Sequence, residues 1–198
     1  MAGKVEFWFE FASTYSYLSA MRVEDEAARR GVEVTWRPFL LGPIFHAQGW
    51  DNSPFNIYPA KGKYMWRDMA RRADALGLNF QRPDGFPQNS LLAARAAIAA
   101  LHEDWGKEFC RLIYKAQFSE GKDISEPLVV GECIEAAGGV AETFLFSAHA
   151  NTQKAALRAN VEEAQAKGIF GAPSFTVGDE LFWGDDRLEE ALDWALRP

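Results

Sequence analysis

Two short stretches of this chain put chemically capable groups where backbone geometry would assist them. The first is Phe11-Ala12-Ser13-Thr14-Tyr15-Ser16, a polar break between an alternating segment and a helix-like one. A helix start presents unpaired N–H groups and the positive end of the peptide dipoles, so an anion held there is stabilised. Ser13 is placed to hydrogen-bond such an anion; Ser13 or Thr14 could equally do no more than cap the helix. The second stretch is Gly168-Ile169-Phe170-Gly171-Ala172-Pro173-Ser174-Phe175. A proline behind two glycines and a small residue, just before a strand, suits a cis turn that exposes the N–H and C=O of Ala172 to a peptide-like ligand. An ordinary trans proline entering an edge strand suits the same residues.

Other chemistries find little footing. His46, His102 and His149 are scattered, with no ligand partners at helical spacing, so no metal site is expected. A serine hydrolase would need a G-x-S-x-G elbow, which is absent, and Gly138-Gly139 is not a phosphate loop. Cys110 and Cys133 lie in helix-like stretches outside any C-x-x-C pair and read as structural thiols of a reducing compartment. The formal charge is -7 and no Lys/Arg cluster tracks a phosphate backbone, which argues against a nucleic-acid partner. No apolar run approaches the ~20 residues of a bilayer span. The N-terminus also lacks the basic start and apolar run of a secretory signal. A cytoplasmic protein without a membrane partner is the expectation.

The elements that must position these groups can be read from periodicity. Residues 4–10 alternate, with Val5, Phe7 and Phe9 opposite Glu6, Trp8 and Glu10, as a strand does. A helix from about Tyr15 to Arg30 ends at Gly31, and Val32 to Leu40 reads as a second strand. Gly42 to Pro59 reads as loop. Helical stripes follow at Met65, Met69, Ala73 and Leu76, and at Ala94, Ile98, Leu101 and Trp105. A helix from Ser125, its N-cap, reaches about Ala137, and another covers Thr152 to Lys167. Ser174 to Val177 and Glu180 to Trp183 form a hairpin across Gly178-Asp179. The apolar face of Leu188, Ala191, Leu192, Ala195 and Leu196 closes the chain as a helix. The order βαβ, helical insert, ββα predicts an α/β protein. Its thioredoxin-like domain spans residues 1–45 and 166–198, with a large helical domain inserted at 46–165.

Four segments, in order, resemble the kappa-class glutathione transferase and 2-hydroxychromene-2-carboxylate isomerase family, relatives of the disulfide oxidoreductase DsbA. They are Phe11 to Leu18; Tyr58 to Met65 with Arg67-Asp68; Gly168 to Phe175; and Phe182-Trp183-Gly184-Asp185-Asp186-Arg187-Leu188. The resemblance implies a thioredoxin-like, DsbA-like fold, glutathione as cofactor, a small aromatic substrate and a homodimer. Where the redox relatives carry C-x-x-C, this chain has Ser13-Thr14-Tyr15-Ser16, so disulfide exchange through its own thiols is unavailable there. Ser13 matches the family's catalytic serine. Asn52 and Lys61 match positions near the backbone and glycyl end of glutathione, and Ala172, before Pro173, the position that pairs with the cysteinyl backbone. Asp185 and Asp186 match the γ-glutamyl subsite. Thr14 departs from the family's usual proline. Asp185 stands where a neutral polar residue is commoner, and an extra carboxylate there should weaken binding.

The expected activity is isomerisation of 2-hydroxychromene-2-carboxylate, as in naphthalene-type aromatic catabolism. The alternatives are a kappa-like transferase that consumes glutathione and a thioredoxin-fold binding protein without catalysis. Trp8, Phe39, Tyr64, Trp66 and Trp183 are candidate walls of an aromatic substrate pocket, although plain core packing would use the same residues.

Overall fold

The computed structural model describes residues 3–197. Its sheet has the order β2-β1-β3-β4. Strand β1 (Lys4–Phe9) lies parallel to β2 (Glu33–Pro38) and antiparallel to β3 (Ser174–Val177), which pairs antiparallel with β4 (Glu180–Trp183). A parallel β1–β2 pair needs a crossover, and helix α1 (Thr14–Arg30) supplies it before Gly31 terminates it at φ 67°.

The alternation in β1 sets Val5, Phe7 and Phe9 on one side and Trp8 on the other, and the structure buries both sets. Helices cover both faces, which explains the double burial. Helix α1 and the C-terminal helix pack with Phe7 and Phe9, while helix Asn151–Ala166 brings Val161 and Ala164 against Trp8. Trp8 and Phe39 are therefore core residues rather than pocket walls. Both are fully buried, packed edge to face at 6.2 Å, and the Trp8 indole N–H donates to Thr176 Oγ1 at 3.1 Å. On the other face Phe7 stacks on Phe175 at 5.4 Å and meets Trp36 edge-on at 5.0 Å.

Between β2 and β3 run α2 (Leu41–Ala47), α3 (Pro54–Ile57), α4 (Pro59–Ala75), α5 (Leu91–Ala100), α6 (Gly106–Phe118), α7 (Pro127–Ala137), α8 (Ala141–Ala148) and α9 (Asn151–Ala166). The expected loop over Gly42 to Pro59 is thus corrected to two short helices, because Pro43 and Pro54 fall in first turns that need no N–H from them. The stripe Ala94 to Trp105 is not one helix. Helix α5 stops at Ala100, and Trp105 caps the start of α6. Glu126, not Ser125, is the N-cap of α7; the Ser125 N–H is bonded to Asp123 Oδ1 at 2.9 Å. A three-residue 3₁₀ turn (Asp185–Arg187) and α10 (Leu188–Trp194) close the chain. Among the described residues no helix is long and apolar enough to cross a membrane.

Helices α5 and α6 share one apolar cluster with the sheet, so the helical segment is docked on the thioredoxin-like part through Ala93, Ala97, Phe109, Ile113 and Tyr114. The α5–α6 corner depends on Gly106, where any Cβ would fall inside the Ala100 carbonyl group. Gly106→Ala should lower the urea midpoint by the equivalent of about 1–3 kcal/mol. Gly42→Ala, in α2 with nothing near its would-be Cβ, should leave the midpoint unchanged or raise it.

Candidate active site

A cavity of about 880 Å³ opens where five parts of the chain converge. The head of α1 and the 170–173 loop form its floor. Helices α2, α3 and α4, the segment 86–91 and the turn 183–186 form its walls. Ser13 sits at its base as the N-cap of α1, with φ -84° and ψ 117°. The side chain caps the helix, one of the two readings of the sequence, and its hydroxyl has a second partner. Ser13 Oγ accepts from the Ser16 N–H at 3.3 Å as a cap does, and its hydroxyl donates to the Ala172 carbonyl at 2.8 Å. The latter bond joins residues 159 apart in sequence and ties the start of α1 to the loop before β3.

The Ala172–Pro173 peptide is cis, as the first of the two sequence readings has it. Among the described residues the Ala172 N–H has no acceptor, and Ala172 is only half-buried on the cavity wall. Pro173 is buried, and its carbonyl accepts from the Gly184 N–H at 3.0 Å, which clamps the 183–186 turn beside the cis loop. Gly171 leaves room for the Trp183 indole, which packs with Phe170 at 4.8 Å to make an aromatic rim. Tyr64 and Trp183 line the cavity. Trp66 does not; it packs behind the wall against Phe86 at 4.8 Å and Phe80 at 6.3 Å.

Asn52, just before α3, and Lys61, in the first turn of α4, line the cavity. Asn52 Oδ1 is occupied by the Ser53 N–H at 2.7 Å and the Asn56 amide at 3.0 Å, so its own N–H groups are what it can offer a ligand. Lys61 is exposed, makes no ion pair among the described residues, and lies 5.5 Å from the Tyr58 ring centre. Asp186 is exposed beside the cavity and loosely paired with Arg187 at 3.5 Å.

The sequence reading sets Asp185 at the γ-glutamyl subsite as an extra carboxylate; it borders the cavity, and its side chain is wholly buried. It accepts from Ser19 Oγ at 2.8 Å and from Arg22 at 3.0 Å, and is also paired with Arg72 from α4. Two arginines thus pair with its charge. Its role is to hold α1, α4 and the 183–186 turn at one point.

Glu10 and Arg72 also line the cavity without being singled out from the sequence, and the Tyr15 hydroxyl donates to Asp68 Oδ2 at 3.0 Å there. Burial, reinforced by the Asp68 bond, pushes the Tyr15 phenol far above its usual range. Burial also raises the Glu10 carboxyl, against the pull of hydrogen bonds from Ser90 and the Ala12 N–H. The two thiols of the chain stand away from the cavity and burial raises both, Cys133 to about 11. Neither is a nucleophile at neutral pH.

The DSBA-like thioredoxin domain matches residues 4–194. The chain belongs to the DsbA-like thioredoxin family. This DsbA-like chain is 28% identical to a 2-hydroxychromene-2-carboxylate isomerase from Sphingobium xenophagum over 99% of its own length and 100% of that protein's. It is 27% identical to glutathione S-transferase kappa 2 of Caenorhabditis elegans, covering 98% and 92% of the two chains. A solved 2-hydroxychromene-2-carboxylate isomerase superposes with a TM-score of 0.84 at 24% identity, over 98% of this chain and 94% of that one, which establishes the fold.

Breaking the buried cluster should be costly. Asp185→Ala strands Arg72 and part of Arg22, and should lose about 3–5 kcal/mol in urea unfolding. Asp186→Ala, on the exposed side of the same turn, should lose less than about 0.5 kcal/mol.

Proposed function

We propose that this protein is a glutathione-dependent isomerase that interconverts 2-hydroxychromene-2-carboxylate and trans-o-hydroxybenzylidenepyruvate. The observation that carries the reading is the Ser13 hydroxyl at the head of α1, 2.8 Å from the Ala172 carbonyl, on the floor of a cavity with unspent donors above it. Full-length similarity to proteins named as isomerase and kappa transferase supports an enzyme of this kind.

The residues present fit glutathione. The free Ala172 N–H and its carbonyl suit the cysteinyl backbone as one added strand pair. The Lys61 ammonium suits the glycyl carboxylate, and the Asn52 amide suits a peptide carbonyl nearby. Asp186 suits the γ-glutamyl ammonium, held in place by the turn that Asp185, Arg22 and Arg72 fix. When bound, glutathione supplies a thiolate that adds to a conjugated carbon and later leaves it, turning a double bond into a single bond that can rotate.

Ser13 makes that thiolate available. Its hydroxyl is committed to Ala172 in the structure, but an entering peptide N–H offers the same carbonyl a replacement donor. The hydroxyl can then turn to the sulfur. With the N–H groups of α1 adding positive potential, a drop of about two pKa units is worth roughly 2.7 kcal/mol, enough to make thiolate dominant at neutral pH. Phe45, Trp50, Phe170 and Trp183 provide the apolar wall for an aromatic substrate. A cytoplasmic homodimer completes the proposal.

The transferase reading shares this site and differs in whether glutathione is spent. With 2-hydroxychromene-2-carboxylate as substrate, product should accumulate while glutathione stays constant. Ser13→Ala should cut turnover at neutral pH by about a hundredfold, with partial recovery at alkaline pH where the thiol ionises unaided. Stoichiometric loss of glutathione with an electrophile, and no turnover of the chromene, would replace the isomerase with the transferase.

A further inference from the structure

Glu10 is the one buried carboxyl on the cavity wall that pairs with no cation. It follows directly on β1, is 7% exposed, and forms no ion pair among the described residues. Its backbone carbonyl accepts the Ser13 N–H at 2.9 Å, so the carboxyl and the Ser13 hydroxyl belong to one tight turn. One carboxyl oxygen, Oε1, is occupied by the Ala12 N–H at 3.1 Å and by the Ser90 hydroxyl. The other, Oε2, has no partner among the described residues.

The surroundings are polar but uncharged. From α6, the Tyr114 hydroxyl donates to the Glu10 backbone carbonyl at 3.0 Å, and burial holds that phenol protonated. Cys110, also on α6, is buried and protonated. Ser90 comes from the segment before α5, and the Ala12 N–H from the turn itself. A carboxylate here would share one cavity wall with the proposed thiolate and has no cation paired with it among the described residues. The neutral acid avoids that unpaired charge and keeps an O–H to give.

We infer that Glu10 is the general acid–base of the reaction, giving a proton to the substrate oxygen as sulfur adds and taking it back as sulfur leaves. This rests on the glutathione reading and deepens it. The substrate class is an α,β-unsaturated carbonyl compound. When sulfur bonds to the β-carbon, the alkene π pair moves to form the enol double bond and the carbonyl π pair moves to oxygen. That oxygen takes the Glu10 proton, leaving an enol and a Glu10 carboxylate. After rotation the carboxylate recovers the proton, the carbonyl re-forms, the new alkene closes and the carbon–sulfur bond breaks. No net proton or electron is consumed.

Glu10→Gln keeps the side-chain shape and the acceptor for Ala12 and Ser90, but has no proton to give. Two readouts test the assignment, with glutathione affinity measured alongside by calorimetry. Infrared spectroscopy of the protein at neutral pH should show a protonated carboxyl stretch that disappears in Glu10→Gln. Turnover of trans-o-hydroxybenzylidenepyruvate should fall by about a hundredfold or more with glutathione affinity retained. The alkaline decline of the wild-type kcat, set by loss of the Glu10 proton, should be absent from the variant. Retained affinity with an unchanged kcat and pH profile would overturn the proposal and leave glutathione binding intact. A missing carboxyl band at neutral pH would also overturn it. Absence of glutathione binding in the wild type would instead overturn the reading beneath it, and the proposal with it.

Discussion

The hydrogen bond from Ser13 to the Ala172 carbonyl is the contact on which the rest of the site depends. It joins the first crossover helix to the loop before β3, and so fixes where a helix N-terminus meets an exposed peptide edge. The sheet makes that meeting possible. β1 lies between β2 and β3, so the residues leaving β1 and the residues entering β3 emerge side by side. Glu10, Ser13, Ala172 and Pro173 share one cavity as a consequence of strand order.

A second constraint acts from the opposite wall. Asp185, buried between Arg22 of α1 and Arg72 of α4, sets the 183–186 turn against both helices. A buried carboxylate is expensive unless fully paired, and here two guanidinium groups and the Ser19 hydroxyl satisfy it. The paired charge turns what looks like an electrostatic fault in the sequence into a fixed wall. Lys61 and Asp186 stand on the exposed side of that framework.

Much of the fold was legible because it depends on local patterns: alternation in β1, the Gly31 stop of α1, and the Gly178-Asp179 hairpin. The legible parts of the site were those with local turn chemistry, Ser13 at a helix start and Ala172-Pro173 at a strand start. What could not be read depends on tertiary packing. Trp8 and Phe39 are aromatic and close to the site in sequence, yet α9 covers that sheet face and takes them into the core. Trp66 points behind the wall for the same kind of reason, drawn to Phe80 and Phe86. Asp185 gives no sign in sequence of its partners at 22 and 72. Alternation places Glu10 opposite Val5, Phe7 and Phe9 but gives no sign of its contacts with Ser90, before α5, and Tyr114 of α6.

The most direct test of the account is the ultraviolet thiolate absorbance of glutathione bound to the protein, titrated from about pH 5 to 9 in wild type and Ser13→Ala. A thiolate that persists well below the free thiol's pKa of about 8.5 in wild type, and returns toward that value without the Ser13 hydroxyl, is the expected result. Bound glutathione that titrates as the free thiol in both proteins would contradict an activating role for Ser13 and for the head of α1.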